Sequence, residues 1–132
     1  MNLKVSDVGL RKNDGQNICL VVEDNFFAGD IMVTFLNQKG IGVDVAGNGE
    51  AAVEMYLADS ARYAIIFMDL QMPGMNGYEA TELIRKSGCK GADRIPIIAM
   101  SGGPLNGLGK CGFSDILRKP FKMQELLPFF AE

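Results

Sequence analysis

Short apolar runs alternate with longer amphipathic stretches along this chain, and this alternation constrains the fold more than any other feature. The run "YAIIFMD" at 63–69 is apolar up to its last residue, which is typical of a central strand covered on both faces. The runs "NICLVVED" at 17–24 and "IPIIAMS" at 95–101 have the same character. Because helices separate these strands, we expect parallel β-α-β units. The sequence therefore predicts an α/β domain with helices on both faces of a parallel sheet.

The predicted elements extend from residue 17 to the end of the chain. The stretch "GGPLNGLGKCGF" at 102–113 holds five glycines and a proline, so we expect the fourth helix to be short or irregular. Pro128 should interrupt or end the last helix, and Phe129 and Phe130 should close the core or an interface. The predicted strands are 17–24, 42–46, 63–69, 95–101 and 114–119, and the predicted helices are 25–40, 47–60, 77–88 and 122–132.

The spacing of apolar residues also predicts which faces of two helices are apolar. In the first helix, Phe27, Ile31 and Phe35 share one face, with Met32 and Leu36 beside them. This pattern predicts an amphipathic helix that lies against the sheet. In the second helix the residues expected to point inward are Ala52, Val53, Tyr56 and Leu57.

Composition excludes several classes of function. The chain contains no histidine, so a histidine base, metal ligand or phosphoryl carrier must come from another protein. A net charge of −3 with scattered basic residues argues against direct binding of nucleic acid, and no apolar run is long enough to span a membrane. Cys19, Cys89 and Cys111 are odd in number and form no Cys-x-x-Cys pair, which favours the cytoplasm over an oxidising compartment. Residues 1–16 are expected to form a polar leader or linker.

Polar side chains follow four of the predicted strands: Glu23, Asp24, Asp69, Ser101 and Lys119. Because ligands bind beyond the carboxyl ends of strands in an open parallel sheet, we expect these side chains to meet. Three neighbouring carboxylates repel one another, and Mg²⁺ relieves that repulsion with the oxygen ligands it prefers. Asp69 is the best candidate nucleophile because aspartate can form an acyl phosphate. Lys119 and the Ser101 hydroxyl are placed to stabilise a phosphoryl group.

Four motifs in order along the chain, "VVEDN", "FMDLQMPGMNGYEA", "IPIIAMSG" and "LRKPF", resemble the receiver domain of two-component response regulators. The resemblance covers roughly residues 17–130 and implies a receiver domain over 17–132. It implies a flavodoxin-like, doubly wound, five-stranded parallel sheet with strand order 2-1-3-4-5. Such a domain is either a stand-alone regulator or part of a hybrid sensor kinase.

The resemblance also implies a phosphorelay function. Asp69 would be the phosphoacceptor, and Glu23 and Asp24 would hold Mg²⁺ with Asp69 and the backbone carbonyl of Gln71. The phosphoryl donor would be a phosphohistidine on a histidine kinase or a histidine phosphotransfer protein, and a downstream effector protein would read the result. The domain would catalyse its own Mg²⁺-dependent phosphorylation and dephosphorylation without being an enzyme in the usual sense.

By the same resemblance, Ser101 would be the switch hydroxyl, and Lys119 would contact the phosphate before a cis bond to Pro120. Two features depart from the family pattern. Ile116 stands where receivers often carry Tyr or Phe, and the glycine-rich 102–113 replaces a regular fourth helix. We therefore expect intact phosphorylation chemistry with an unusual output surface.

Other classes of protein fit the sequence less well. A receiver-like interaction module that needs no phosphorylation usually lacks one of the acids or the lysine, and this chain keeps them all. A phosphohydrolase of the haloacid dehalogenase type would need a second aspartate where Gln71 stands. A flavodoxin would need a phosphate-binding loop after the first strand, and none is present.

Overall fold

A five-stranded parallel sheet forms the centre of the protein. The computed structural model describes residues 18–103 and 112–130, so residues 1–16 and most of 102–113 lie outside the described part. The strands follow the order β2-β1-β3-β4-β5, and every neighbouring pair is parallel. This confirms the flavodoxin-like doubly wound sheet of order 2-1-3-4-5. The strands are β1 (Ile18–Val22), β2 (Val43–Ala46), β3 (Tyr63–Asp69), β4 (Ile97–Ser101) and β5 (Asp115–Arg118).

Three α-helices of the described part each begin after an asparagine. The side-chain oxygen of that asparagine accepts a hydrogen bond from a backbone N–H in the first turn, which is the preferred N-cap arrangement. The helices are α1 (Phe26–Gln38), α2 (Gly49–Ala58) and α3 (Gly77–Arg85), with two 3₁₀ helices at Ser60–Arg62 and Met123–Phe130. None of the helices in the described ranges is both long and apolar enough to cross a membrane.

The helices bury both faces of the sheet. On one face, Met32 and Leu36 of α1 share a core with Leu126 of the C-terminal 3₁₀ helix. On the other face, Tyr56 of α2 and Ile84 of α3 pack in a second core. All seven residues of β3 are buried, because this strand lies at the centre of the sheet between the two cores.

Only some of the apolar residues that the spacing grouped together on α1 are buried. Phe27 is 75% exposed and Ile31 is 55% exposed, whereas Gly29, Met32 and Leu36 are buried. The helix lies close to the sheet at Gly29, where an added Cβ would be 3.8 Å from Val45. The small residue sets the line of contact, and the larger side chains of Phe27 and Ile31 are left on the outside.

The expectation for α2 was partly wrong. Ala52 and Tyr56 are buried, and the partly buried Val53 packs against the same core, as expected. Leu57 is 48% exposed instead of pointing inward. Leu57 and Ala58, the last two residues of α2, are both exposed, so the buried stripe of this helix ends at Tyr56.

Where a short helix was predicted over 122–132, the chain after β5 forms a 3₁₀ helix, Met123–Phe130, and Pro128 lies inside it rather than ending it. Phe129 and Phe130 are buried, and their rings lie 5.7 and 6.0 Å from the ring of Phe67. Aromatic rings at these separations attract one another beyond their burial. The aromatic pair therefore closes the core.

Candidate functional site

Three carboxylates converge at the carboxyl edge of the sheet. Glu23 and Asp24 follow β1, and Asp69 ends the neighbouring β3. One oxygen of each lies within 4.8 Å of the others, while Glu23 and Asp69 are each 4% exposed and Asp24 is exposed. Carboxylates this close and this buried repel one another unless a cation lies among them.

Lys119 supplies one such cation. Its Nζ lies 2.8 Å from Oε1 of Glu23 and 3.2 Å from Oδ2 of Asp69. Burial lowers the pKa of Lys119, but the hydrogen bond to Glu23 and the charge of Asp69 outweigh burial and raise it. The Lys119–Pro120 peptide bond is cis, as the resemblance implied. The shorter contact to Glu23 was not predicted, because nothing in the sequence showed which carboxylate the lysine would meet.

Backbone N–H groups hold the remaining oxygens of the two buried carboxylates. Oδ1 of Asp69 accepts a hydrogen bond from the N–H of Gln71 at 3.1 Å, and Oε2 of Glu23 accepts one from the N–H of Asn25 at 3.2 Å. Each carboxylate thus has one oxygen on its own following loop and the other on Lys119. This arrangement fixes the orientation of both groups.

Ser101 lies at the end of β4 and is 1% exposed. Its hydroxyl donates to the carbonyl of Gly103 at 3.3 Å and accepts from the N–H of Gly103 at 3.2 Å. Arg118, which is paired with Ser101 across β4 and β5, also donates to the Gly103 carbonyl at 2.9 Å. The sequence placed Ser101 correctly at a strand end but gave no signal for the Arg118 contact.

The donor set fits a hard divalent cation. Three carboxylate oxygens face a common space, and oxygen is the ligand atom that Mg²⁺ prefers. The resemblance assigned the backbone carbonyl of Gln71 to the metal. Gln71 lies two residues beyond Asp69, and its backbone N–H donates a hydrogen bond to the Asp69 carboxylate. Ile116 lies half-buried in β5, where the family often has an aromatic residue.

A groove of about 490 Å³ opens beside these charges, between α1 and the chain that follows β5. Its walls include Ile31, Met32, Phe121 and Met123, and Lys119 lies at its polar end. Exposed Phe27 lies on α1, the same helix as Ile31 and Met32. An apolar surface next to a charged site is a common feature of protein interfaces.

Comparison with known sequences agrees with this geometry. The response regulator receiver domain model matches residues 19–130. The transcription factor SKN7 of Chaetomium thermophilum is 42% identical over 106 residues, which are 77% of this chain and 13% of that protein. Two-component response regulator 24 of Arabidopsis thaliana is 34% identical over 108 residues, which are 82% of this chain and 77% of that protein. The chain thus spans only a small part of some relatives and most of others.

A solved structure shares both the fold and a substantial part of the sequence. It is the receiver domain of the sensor histidine kinase PA1611 from Pseudomonas aeruginosa, described with a magnesium ion coordinated in its active site cleft. The TM-score is 0.72 at 36% identity, and the match covers 86% of this chain and 92% of that one. With its family match, its sheet order and its acidic strand ends, this chain belongs to the response regulator receiver domains of two-component systems.

Proposed function

We propose that this domain works in a cytoplasmic phosphorelay, in which Asp69 accepts a phosphoryl group from a phosphohistidine on another protein. The observation that carries the proposal is that buried Glu23 and Asp69, from neighbouring strand ends, share the ammonium of Lys119. One carboxylate would be enough to neutralise Lys119 in a purely structural ion pair. The site has three carboxylates, including nearby Asp24, which is more typical of a functional site. Residues 17–132 form the receiver, and residues 1–16 lead into it.

Glu23, Asp24, Asp69 and the backbone carbonyl of Gln71 are the groups that would hold Mg²⁺. The ion would reduce the repulsion between these carboxylates and an incoming phosphoryl group. The hydrogen bond from the Gln71 amide keeps the Asp69 carboxylate turned toward the edge of the sheet. Burial of Asp69 excludes most water from its oxygens.

The transfer step forms one bond and breaks another. A carboxylate oxygen of Asp69 attacks the phosphorus, the phosphorus–nitrogen bond of the donor breaks, and its electron pair returns to the imidazole nitrogen. The ammonium of Lys119 lies 3.2 Å from Asp69, close enough to move onto an oxygen of the transferred group. Hydrolysis of the acyl phosphate then restores the starting state.

Phosphorylation of Asp69 would draw the Ser101 hydroxyl away from Gly103. The Gly103 carbonyl would keep the hydrogen bond from Arg118, so the change leaves this carbonyl paired. The end of β4 and the residues after it would then adopt a second arrangement that an effector protein reads.

The groove beside Lys119 suits the phosphohistidine protein, which must approach Asp69 across this edge of the sheet. A histidine kinase or a histidine phosphotransfer protein can supply the histidine that this chain lacks. The apolar wall of the groove would bury surface on docking, and the charged end would align the phosphoryl group.

Intact-mass measurement after incubation with acetyl phosphate and Mg²⁺ tests the acceptor. We expect a phosphoryl-sized gain for the wild type, and none for Asp69→Asn or when a chelator is present, because the amide is not a nucleophile. Equal labelling of Asp69→Asn would show that another residue is the acceptor. No labelling of the wild type, under conditions that label a known receiver, would favour an interaction module that needs no phosphorylation.

A further inference from the structure

The loop that follows Asp69, residues 70–76, is called here the acceptor loop. Hydrogen bonds tie its two ends: the N–H of Gln71 donates to Asp69, and the N–H of Gly77 donates to the carbonyl of Leu70 at 3.3 Å. These contacts close the loop on itself next to the carboxylate. Neither hydrogen bond involves residues 72–76.

The start of α2 contacts residues 74 and 75 of the acceptor loop. Oε2 of Glu50 accepts a hydrogen bond from the N–H of Met75 at 3.3 Å. Gly74 has φ +75°, and a Cβ there would be 3.2 Å from the same Glu50 oxygen. Gly49 is buried, and a Cβ on it would overlap the carbonyl oxygen of Met75. Two consecutive residues of α2 therefore contact one peptide segment of the loop.

We propose that Glu50 is a positioning residue for the phosphorylation site. Its carboxylate braces the acceptor loop through Met75, so that Gln71 and Asp69 are already placed for Mg²⁺ and for the phosphoryl group. In this role Glu50 would contact neither Mg²⁺ nor the phosphoryl group, and would act only through the loop. The proposal rests on the proposed function, because the loop matters for metal binding only if Gln71 and Asp69 are ligands.

Glu50 could act through its hydrogen bond or through its charge, and substitutions distinguish the two. A glutamate in the first turn of a helix also interacts favourably with the helix dipole, and it adds negative charge near a cation site. A glutamine keeps an oxygen that can accept the Met75 N–H but removes the charge. Glu54 is exposed one turn further along α2 and carries the same charge, so Glu54→Ala is the matched control.

Calorimetric titration with Mg²⁺ alone, together with amide hydrogen exchange, tests the brace. We expect Glu50→Ala to weaken Mg²⁺ binding by about threefold to tenfold, the effect of losing one hydrogen bond. Exchange at the Met75 amide should become faster in the same variant. Glu50→Gln and Glu54→Ala should bind Mg²⁺ within about twofold of the wild type if the hydrogen bond, and not the charge, is what matters.

Gly49→Ala, at the residue before Glu50, disturbs the same loop and is a second test of the brace. Because the added methyl group would overlap the Met75 carbonyl, we expect this variant also to weaken Mg²⁺ binding. A Glu50→Ala protein with a lower melting temperature but unchanged Mg²⁺ affinity would overturn the proposal, since a purely stabilising contact behaves that way. Equal losses in Glu50→Ala and Glu50→Gln would also overturn it. A wild type that binds no Mg²⁺ would instead overturn the proposed function, and the brace with it.

Discussion

At the scale of single residues, the ammonium of Lys119 bridges two carboxylates. Its distances to Glu23 and Asp69 are 2.8 and 3.2 Å. Because the pKa of Lys119 is raised above 10.5, its contribution to stability is complete below that pH and is lost as pH rises through the higher folded-state value. The charged form therefore persists through the physiological range.

Removal of this ammonium should make the stability of the domain depend on Mg²⁺. Lys119→Ala leaves Glu23 and Asp69 facing each other, so we expect the metal-free protein to lose about 1–3 kcal/mol of stability. Mg²⁺ should bind at least as tightly as in the wild type and should restore much of the loss, because it replaces the missing positive charge. Thermal unfolding with and without Mg²⁺ measures both effects. Weaker Mg²⁺ binding by this variant would mean that Lys119 organises the metal ligands rather than competes with the metal for them.

Another ion pair lies away from the acidic edge of the sheet. Asp44 accepts hydrogen bonds from Arg62 at 2.7 and 3.1 Å and from the hydroxyl of Tyr63 at 2.7 Å. The hydrogen bond from Arg62 lowers the pKa of Asp44 more than partial burial raises it. The contact joins β2, at the edge of the sheet, to the start of β3.

Replacement of Asp44 should therefore give a pH-dependent loss of stability. We expect Asp44→Asn to be less stable than the wild type by about 1 kcal/mol or less at neutral pH, since Arg62 is partly exposed. The folded-state pKa is depressed, so this difference is present above pH 3.8 and disappears as pH falls through the lower folded-state value. Urea unfolding across this pH range measures it. A difference that grows in acid would contradict the assignment.

At the scale of elements, α1 shows why a repeating pattern does not identify the buried face. Apolar residues occur on more than one side of this helix. The position of Gly29 against β2 selects the stripe through Met32 and Leu36, and Phe27 and Ile31 remain exposed. Ile31 also lines the groove, so we expect the donor protein to dock on this side of α1.

Introduction of a charge on that side should affect transfer from a protein donor but not from a small one. We expect Phe27→Asp to slow phosphoryl transfer from a phosphohistidine protein by about tenfold or more, the cost typical of a lost apolar anchor. Labelling by acetyl phosphate should be unchanged, because Asp69 and its partners are untouched. Leu83→Asp is the matched control, since Leu83 is 47% exposed on α3 at the opposite face of the sheet. Equal slowing by both variants would place the donor elsewhere.

At the scale of the whole molecule, stability depends on covering both faces of the sheet. The C-terminal 3₁₀ helix completes the core on the α1 side through Leu126, Phe129 and Phe130. A 3₁₀ helix of eight residues is unusually long, and burial of its apolar residues offsets its poorer hydrogen-bond geometry.

A cavity in the core on the α1 side should destabilise the whole domain. Leu126 is 0% exposed, so we expect Leu126→Ala to lower the free energy of unfolding by about 2–5 kcal/mol, the usual range for this substitution in a protein core. Leu57→Ala, at a position 48% exposed, should cost less than about 1 kcal/mol. Denaturant unfolding of the two variants gives the comparison. Similar small losses in both would mean that the C-terminal segment is not part of the cooperative core.

The strands, the alternation of elements and the acidic edge could be predicted from local patterns in the sequence. The three central strands are apolar runs, and parallel strands bring their carboxyl ends to one edge, so the meeting of Glu23, Asp69 and Lys119 followed from the sequence. Their roles in metal binding and phosphoryl transfer stay predictions. The described residues do not include most of 102–113, so the expected irregular fourth helix stays a prediction as well.

Which groups touch one another depends on how the elements pack. Periodicity shows which residues share a helix face but not which face is buried, because that depends on packing against β2, as at Gly29. The Lys119–Glu23 contact joins residues 96 positions apart, and the Glu50–Met75 contact joins residues 25 apart. Such contacts depend on the distance between elements and on side-chain rotamers, which no local pattern encodes.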